Sequence, residues 1–358
     1  MKIFIAGGGT GGHIYPAISI ADSLKKINPN IHIEFVGTAD GLESKIVPKS
    51  GYQLHLVQSG KLNFSGQLFE KIKTILKIPI GIFQSIFLIL KHQPDFILGV
   101  GGYVSAPFVL AAALLGRKTA FWEPNAHPGM ANRMLSRFVN TSYLVFSEAQ
   151  KYLHSKNNHI FGMPLRSEMQ IFQSDKTTKP YFSILCFGGS QGSHFLNDQI
   201  SDFILNSPEL HDQVKIIHQT GPTDFDRMKK KYGSIECVQI FDFIYNMPDY
   251  YKIADLLFCR GGASTLAEAA AFGVVPIVVP LPAADNHQQK NAESLVAKNA
   301  GFMLIQKNFD PKEFKNKINE LIKNKDILKE MSENLLKIAP QNASSEIASD
   351  IIKEIQKS

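Results

Sequence analysis

Along the first half of the chain, short apolar, β-branched runs alternate with longer stretches whose apolar residues recur at helical spacing. KIFIAG, IHIEFVG, DFILGVGG, KTAFWE and TSYLVF predict parallel strands joined by crossover helices, the pattern of a doubly wound α/β sheet. A polar stretch from Gln170 to Lys179 interrupts it. The pattern then restarts with YFSILCFGGSQG, VKIIHQTG, ECVQIFDF, ADLLFCRGG and VVPIVVPLP, each closed by Gly, Pro or polar residues. Pro164 and the polar residues after it put the boundary near Met163 to Arg166, giving domains of residues 1–163 and 164–340. A last helix within residues 341–358, about Ser344 to Gln356, is expected to pack back on the first domain. Open α/β sheets bind ligands at their strand C-termini, so two such edges facing across a cleft would hold two substrates.

Composition agrees with this division. At 358 residues and 44% hydrophobic, the chain exceeds what one core covers. Lys and Arg number 38 against 32 for Asp and Glu, a net charge of +6 that favours anionic partners without the excess a nucleic-acid-binding protein carries. Cys186, Cys237 and Cys259 are far apart and odd in number, which predicts neither a disulfide frame nor a metal knuckle and fits a reducing cytoplasm. The N-terminus enters a strand at once, without the pattern of an export signal.

The longest apolar stretch, Ile78 to Leu90, lies between Lys77 and Lys91 and is shorter than the roughly 20 residues a spanning helix needs. Around it Leu68, Ile72, Ile75, Leu76, Phe83, Ile86 and Leu90 share one helical face, flanked by Lys71, Lys73, Lys77 and Lys91. Such a face suits an anionic membrane surface, with Ile75, Leu76 and Phe83 as contacts and LLGRK at 114–118 as a companion patch. It suits burial in the first domain equally, and Pro79 is expected to break or kink the segment.

Three glycine turns follow strands. Residues 7–12, GGGTGG, precede a helical stretch, so backbone N–H groups and a helix N-terminus converge on a spot suited to an anion. GVGGYVS, 99–105, and FGGSQG, 187–192, repeat the arrangement, and recurrence in both halves favours phosphate binding over glycines that serve packing alone. Gly7, Gly9 and Gly12 also satisfy G-x-G-x-x-G, which raises a dehydrogenase or flavoprotein as an alternative. Against it, Glu34 sits inside its strand rather than at the end where a ribose acid belongs, and His13 occupies the helix start.

His13, at the mouth of the first turn, is a candidate base for a hydroxyl beside a bound phosphate; the plain alternative is a histidine bonded to local backbone. Glu123 in FWEPNAHPG is a second candidate base, whereas neighbouring His127 reads as a solvated loop residue. In the second half CRGGASTLAEAAAFG sets small residues at a helix start, with Glu268 placed to accept hydrogen bonds from vicinal ribose hydroxyls. DNHQQKNAE offers Gln288 and Gln289, whose amides suit sugar hydroxyls. Asp224-Phe225-Asp226 has the D-x-D spacing, but it opens a helix before RMKKK, so capping is expected rather than metal ligation.

Taken together, GGGTGGHIYPAISIA, GGYVS, PNAHPGMANR, FGMPLR, FGGSQG, RGGASTLAE and DNHQQKNAE resemble the MurG family of bacterial peptidoglycan glycosyltransferases (glycosyltransferase family 28) across both halves. The resemblance implies a GT-B fold of two facing Rossmann-like domains, and transfer of N-acetylglucosamine from UDP-GlcNAc to the MurNAc C4 hydroxyl of lipid I, with inversion, to give lipid II. It implies His13 as base and Thr10, Gly11, Gly12, Asn125, Arg166, Ser190, Ile244, Ala263, Ser264, Thr265, Leu266, Ala267, Glu268 and Gln288 as donor-binding positions. Ile244 would hold uracil through its backbone, Ser190 the diphosphate, Glu268 the ribose and Gln288 the sugar; Gly9, Gly102 and Tyr103 would meet the acceptor. No cofactor is required and a divalent metal is dispensable. The expected setting is the cytoplasmic face of the plasma membrane, held peripherally, with cell-wall synthesis proteins among the partners. Two positions depart from the family pattern: Glu123-Pro124-Asn125 replaces Glu-Gln-Asn, and Arg260-Gly261-Gly262-Ala263 replaces Arg-Ala-Gly-Ala. A diacylglycerol glycosyltransferase of the same fold is the nearest alternative.

Overall fold

The computed structural model describes residues 1–59, 68–166, 169, 179–283, 285–339 and 342–357, the side chains of residues 68–78 excepted. The chain forms two compact units, Met1–Ser167 with Gln341–Ser358, and Glu168–Pro340. Most of the polar stretch expected between them lies outside the described residues.

The first unit runs β1 (Lys2–Gly7), α1 (Gly11–Ile27), β2 (His32–Gly37), α2 (Glu43–Lys49), β3 (Gln53–Leu56), α3 (Leu68–His92), β4 (Phe96–Gly101), α4 (Ser105–Leu114), β5 (Lys118–Glu123), α5 (Met130–Leu135), β6 (Thr141–Leu144) and β7 (Asn157–Ile160). Its seven strands are parallel in the order β3-β2-β1-β4-β5-β6-β7. Because helices cover both faces, strands such as KIFIAG are buried almost throughout instead of alternating with polar residues. Phe4, Ala6, Ile97, Phe121 and Leu144 point toward α3 and α4, where Ile89, Phe108 and Val109 complete one core layer.

α3 is helical on both sides of Pro79 and through it, so of the expected break or kink the break does not occur. Among its residues with described side chains the buried ones are Gly81, Ser85 and Ile89 rather than Phe83 and Leu90 of the apolar stripe; a Cβ on Gly81 would stand 2.2 Å from the Gln58 carbonyl oxygen. Small residues therefore let the helix approach the chain after β3. The larger side chains Ile80, Phe83, Phe87 and Leu90 stay exposed, while Ile86 packs on the core. The side chains of Ile75 and Leu76 lie outside the described residues. Among the described residues no helix is long and apolar enough to cross a membrane.

The second unit runs β8 (Phe182–Phe187), α6 (His194–Leu205), β9 (Val214–Gln219), α7 (Phe225–Tyr232), β10 (Val238–Phe241), α8 (Met247–Ile253), β11 (Leu256–Cys259), α9 (Ala263–Phe272), β12 (Val275–Val278), α10 (His287–Val296), β13 (Phe302–Met303), α11 (Pro311–Lys323) and α12 (Lys325–Ile338). Its six parallel strands are ordered β10-β9-β8-β11-β12-β13. In each sheet the strand order reverses once, between β1 and β4 and between β8 and β11. Loops leaving such neighbours diverge and open a crevice.

The last helix, α13 (Ala343–Gln356), belongs to the first unit and packs along α1. Ile347, Ala348 and Ile351 are buried there. Ser19 Oγ donates to the Leu165 carbonyl and meets Ser344 Oγ at 2.8 Å, and Tyr143 Oη donates to Asp350 at 2.9 Å. Ile351→Ala should therefore lower the stability of this unit by about 2–5 kcal/mol. Denaturation followed by the fluorescence of Trp122, the single tryptophan and buried in β5, reads that unit; an unchanged midpoint would mean α13 adds nothing to its core.

Candidate active site

At the first switch point the backbones of β1 and β4 touch. Gly8 N–H donates to the Gly101 carbonyl at 3.1 Å, and a Cβ on Gly102, where φ is +85°, would stand 2.5 Å from the Gly8 carbonyl oxygen. Only glycine fits, which explains why GGG and GVGG end these strands. α1 begins at once, and Thr10 at its N-cap makes no side-chain cap, so the first N–H groups of the helix remain available to an anion.

His13 lies in this first turn with its Cε1/Nδ1 edge against Gly101, where a Cβ would stand 2.7 Å from both atoms. Nδ1 is buried without a well-formed hydrogen bond. Burial pulls the imidazole pKa below 6.5, and the Val100 backbone opposes this only in part. At neutral pH the ring is uncharged and able to accept a proton. Thr10, Gly12, Gly9, Gly102 and Tyr103 are exposed around it, and Gly11 is half-buried.

Glu43, which no sequence motif singled out, holds this loop. It is 2% exposed, and its carboxylate accepts from Gly9 N–H at 2.7 Å, Thr38 N–H at 2.9 Å and Thr38 Oγ1 at 2.8 Å. Gly8, Gly37 and Gly41 wrap it so closely that a Cβ on any of them would stand within 2.5 Å of its side chain. Burial pushes its pKa up, but these hydrogen bonds outweigh burial and hold it below 4.5.

Glu123 has a similar part. It is 1% exposed; Oε1 accepts from Asn125 N–H at 2.9 Å and Nδ2 at 3.1 Å, and Oε2 from Gly129 N–H at 3.2 Å and Asn132 Nδ2 at 2.8 Å. Burial raises its pKa against these bonds, but both oxygens are occupied, so the residue shapes the loop carrying Asn125 rather than standing ready as a base. His127 is not solvated as expected; it packs edge-on against Tyr152 with ring centroids 4.6 Å apart. The Arg166 guanidinium lies 4.9 Å over the Tyr15 ring.

In the second unit, FGGSQG and RGGAST leave β8 and β11, the strands flanking that switch point. Ser190 is exposed, and Ser193 caps α6 by accepting from Leu196 N–H. Arg260 is buried: Nη2 donates to Ser193 Oγ at 2.8 Å, and Nη1 to Val279 O at 3.1 Å and Gln306 Oε1 at 2.8 Å, tying three loops together. Gln219 bridges two more, donating to Gly189 O at 3.1 Å and accepting from Ile244 N–H at 2.8 Å. Of the Ile244 backbone groups expected to face a ligand, the N–H is thus already committed. Sequence spacing carried no signal for Gln219, whose partners lie 30 and 25 residues away.

Within Ala263–Glu268, the side chains of Ala263, Leu266 and Ala267 are buried, so any contact they make uses the uncapped N-terminus of α9; Ser264, Thr265 and Glu268 are the half-buried members. Tyr251 Oη donates to Glu268 Oε2 at 3.2 Å. Gln288 Oε1 accepts from Gly261 N–H at 3.1 Å and Leu281 N–H at 3.0 Å. A Cβ on Gly261 would stand 2.4 Å from the Gln288 carbonyl oxygen, so glycine here lets the two backbones approach closely. Gln289 turns instead to Glu293, donating at 2.9 Å. Asp224 stands at the N-cap of α7, but its carboxylate binds Arg227 and Asn197 and makes no backbone cap, while Asp226 is exposed. The two aspartates do not converge.

Residues 3–144 match the description "Glycosyltransferase family 28 N-terminal domain" and residues 183–355 "Glycosyltransferase family 28 C-terminal domain". A Bdellovibrio bacteriovorus protein named UDP-N-acetylglucosamine--N-acetylmuramyl-(pentapeptide) pyrophosphoryl-undecaprenol N-acetylglucosamine transferase is 50% identical over 353 residues, 98% of this chain and 99% of that one. The protein of the same name from Citrifermentans bemidjiense is 37% identical, over 99% of this chain and 100% of its own. Among solved structures, Acinetobacter baumannii MurG superposes with a TM-score of 0.81 at 27% identity, covering 98% of this chain and 99% of that chain. The fold is the GT-B type, with two Rossmann-like units.

Replacing Glu43 by Gln should cost about 1.5–3 kcal/mol, the worth of hydrogen bonds to a charged group. Because its folded-state pKa is depressed, the wild-type contribution is present above pH 4.5 and is lost as pH falls through the lower folded value. Unfolding free energies of both proteins between pH 7 and pH 3 test this. Parallel curves would show that Glu43 is not the anionic strut of the loop.

Proposed function

The chain belongs to glycosyltransferase family 28, and from that premise we propose that it transfers N-acetylglucosamine from UDP-GlcNAc to the C4 hydroxyl of the MurNAc of lipid I, forming lipid II for peptidoglycan synthesis. Growth, shape and division of the cell would draw on that product. The observation that carries the reading is His13, uncharged beside a helix N-terminus at the β1/β4 switch point, in a chain matched nearly end to end by relatives named for this reaction.

In this mechanism the first unit receives the acceptor pyrophosphate at Gly9, Gly102 and Tyr103, while Thr10, Gly11 and Gly12 at the start of α1 serve the donor. His13 Nε2 takes the C4 hydroxyl proton. The oxygen bonds to the anomeric carbon as the bond from that carbon to the β-phosphate oxygen breaks, so UDP leaves with the electron pair and the configuration inverts. The second unit holds the donor: Ser190 and the uncapped end of α9 at the diphosphate, Glu268 with Tyr251 behind it at the ribose, and the Ile244 carbonyl at uracil. Helix N-termini favour the charge that grows on UDP. Gln288, its oxygen fixed on backbone, presents Nε2 to the sugar. A divalent metal is dispensable in this reading, since helix N-terminal N–H groups and the Ser190 hydroxyl stabilise the diphosphate by hydrogen bonds.

The chain would work peripherally on the cytoplasmic face of the plasma membrane, near proteins of cell-wall synthesis. Phe83 and Phe87 on α3 are 72% and 63% exposed, and Lys91 Nζ lies 5.9 Å from the Phe87 ring centroid. Exposed aromatics with basic neighbours suit an anionic bilayer surface.

Purified protein should release UDP from UDP-GlcNAc only when lipid I is present; release with diacylglycerol in its place would overturn the acceptor assignment. His13→Ala should lower kcat about 10²- to 10⁴-fold with donor KM nearly unchanged, and Glu268→Ala should mainly raise donor KM. The acid limb of the wild-type kcat/KM profile should fall below pH 6.5, because activity is lost as pH drops through the lowered His13 value. Near-wild-type turnover of His13→Ala would move the base elsewhere. In flotation with vesicles containing phosphatidylglycerol, Phe83→Ser with Phe87→Ser should weaken binding at least about tenfold, from a burial worth of about 1.5–3 kcal/mol per side chain; undiminished binding would exclude this surface.

A further inference from the structure

Glu34, His55 and His92 come from β2, β3 and the last turn of α3, and their ligand-type atoms all lie within 4.8 Å of one another. Glu34 Oε2 stands 2.5 Å from His55 Nε2 and 3.3 Å from His92 Nδ1. Glu34 Oε1 turns the other way, 3.5 Å from Lys2 Nζ. The two rings are held by packing: each has its centroid 5.6 Å from that of Phe4, and they meet each other edge-on at 4.8 Å. The three side chains are 13–18% exposed, sheltered from bulk water yet reachable from it.

From this convergence we propose that Glu34, His55 and His92 form a site for a divalent transition metal of the zinc class, separate from the sugar-transfer site. Two imidazole nitrogens and one carboxylate oxygen match the nitrogen and oxygen preference of zinc. Zinc–ligand distances of about 2.0–2.2 Å in tetrahedral geometry require ligands about 3.3 Å apart. The Glu34–His92 separation meets this already, and the Glu34–His55 pair opens by under about 1 Å as one hydrogen bond gives way to two metal bonds. His55 binds as the tautomer with Nε2 free, its ring proton resting on Nδ1. Lys2 stays on the free carboxylate oxygen and orients it, and a water fills the fourth position. Glu34 precedes Gly37, the end of β2, by three residues, about 10 Å of strand, so the site lies below the glycine loops. Its consequence is mechanical: the metal fastens the C-terminal turn of α3 to the edge of the sheet.

The test uses the untagged full chain, stripped with chelator and titrated with Zn²⁺ by calorimetry. One Zn²⁺ per chain is expected, with a rise in thermal midpoint, and Glu34→Gln, His55→Gln and His92→Gln should each weaken binding at least about 100-fold, since loss of a direct ligand costs no less than loss of an outer partner. His159→Gln, outside the cluster, should bind as the parent does. Should a cluster variant fail to fold, X-ray absorption of the zinc-loaded parent decides, two imidazoles in the coordination shell supporting the site and none overturning it. No binding by the parent, or binding by the three cluster variants as tight as the parent's, also overturns it.

Discussion

Contact between the backbones of β1 and β4 at the switch point is the constraint on which the first unit depends. Two loops that leave a parallel sheet in opposite directions would ordinarily be kept apart by their side chains. Here Gly8 and Gly102 meet without Cβ atoms, and the ring of His13 covers Gly101 as a lid covers a floor. A short, tight connection into α1 follows, and the helix N-terminus is delivered to the crevice with its N–H groups unspent. The low His13 pKa has the same origin, because a ring pressed against backbone loses its water.

Charged groups buried in this protein mostly hold loops. Glu43 fixes the first glycine loop, Glu123 the loop carrying Asn125, and Arg260 the loops around β8, β12 and β13. Each would be costly to bury alone, and each is offset by several charge-assisted hydrogen bonds to backbone or amide groups. Such groups are stiff struts, since moving one loop breaks several bonds at once. The residues proposed to meet a ligand are by contrast neutral, and half-buried or exposed: His13, Ser190, Thr265 and the amide of Gln288.

α3 joins two requirements in one element. Gly81 and Ser85 allow close approach to the chain after β3, while Phe83 and Phe87 stay outside. A helix whose inner face was large would stand farther from the sheet, and His92 would not reach Glu34. The proposed membrane contact and the proposed metal site thus rest on the same close packing.

The alternation of apolar runs with helical stretches determined the two α/β units, and the glycine turns determined where each sheet opens, because both follow from local backbone chemistry read along the chain. The placement of His13 and Glu268 at a glycine turn and a helix start was legible for the same reason, each being tied to its neighbours in sequence. Glu43, Gln219 and the Glu34–His55–His92 cluster were not, since their partners arrive from strands and loops distant in sequence. Glu123 shows the converse: a carboxylate after a strand is visible in the sequence, but whether it faces a ligand or is consumed by its own loop depends on how residues 125–132 fold over it. Periodicity and turn chemistry are properties of neighbouring residues, whereas burial and hydrogen-bond satisfaction exist only once the sheet has brought remote segments together.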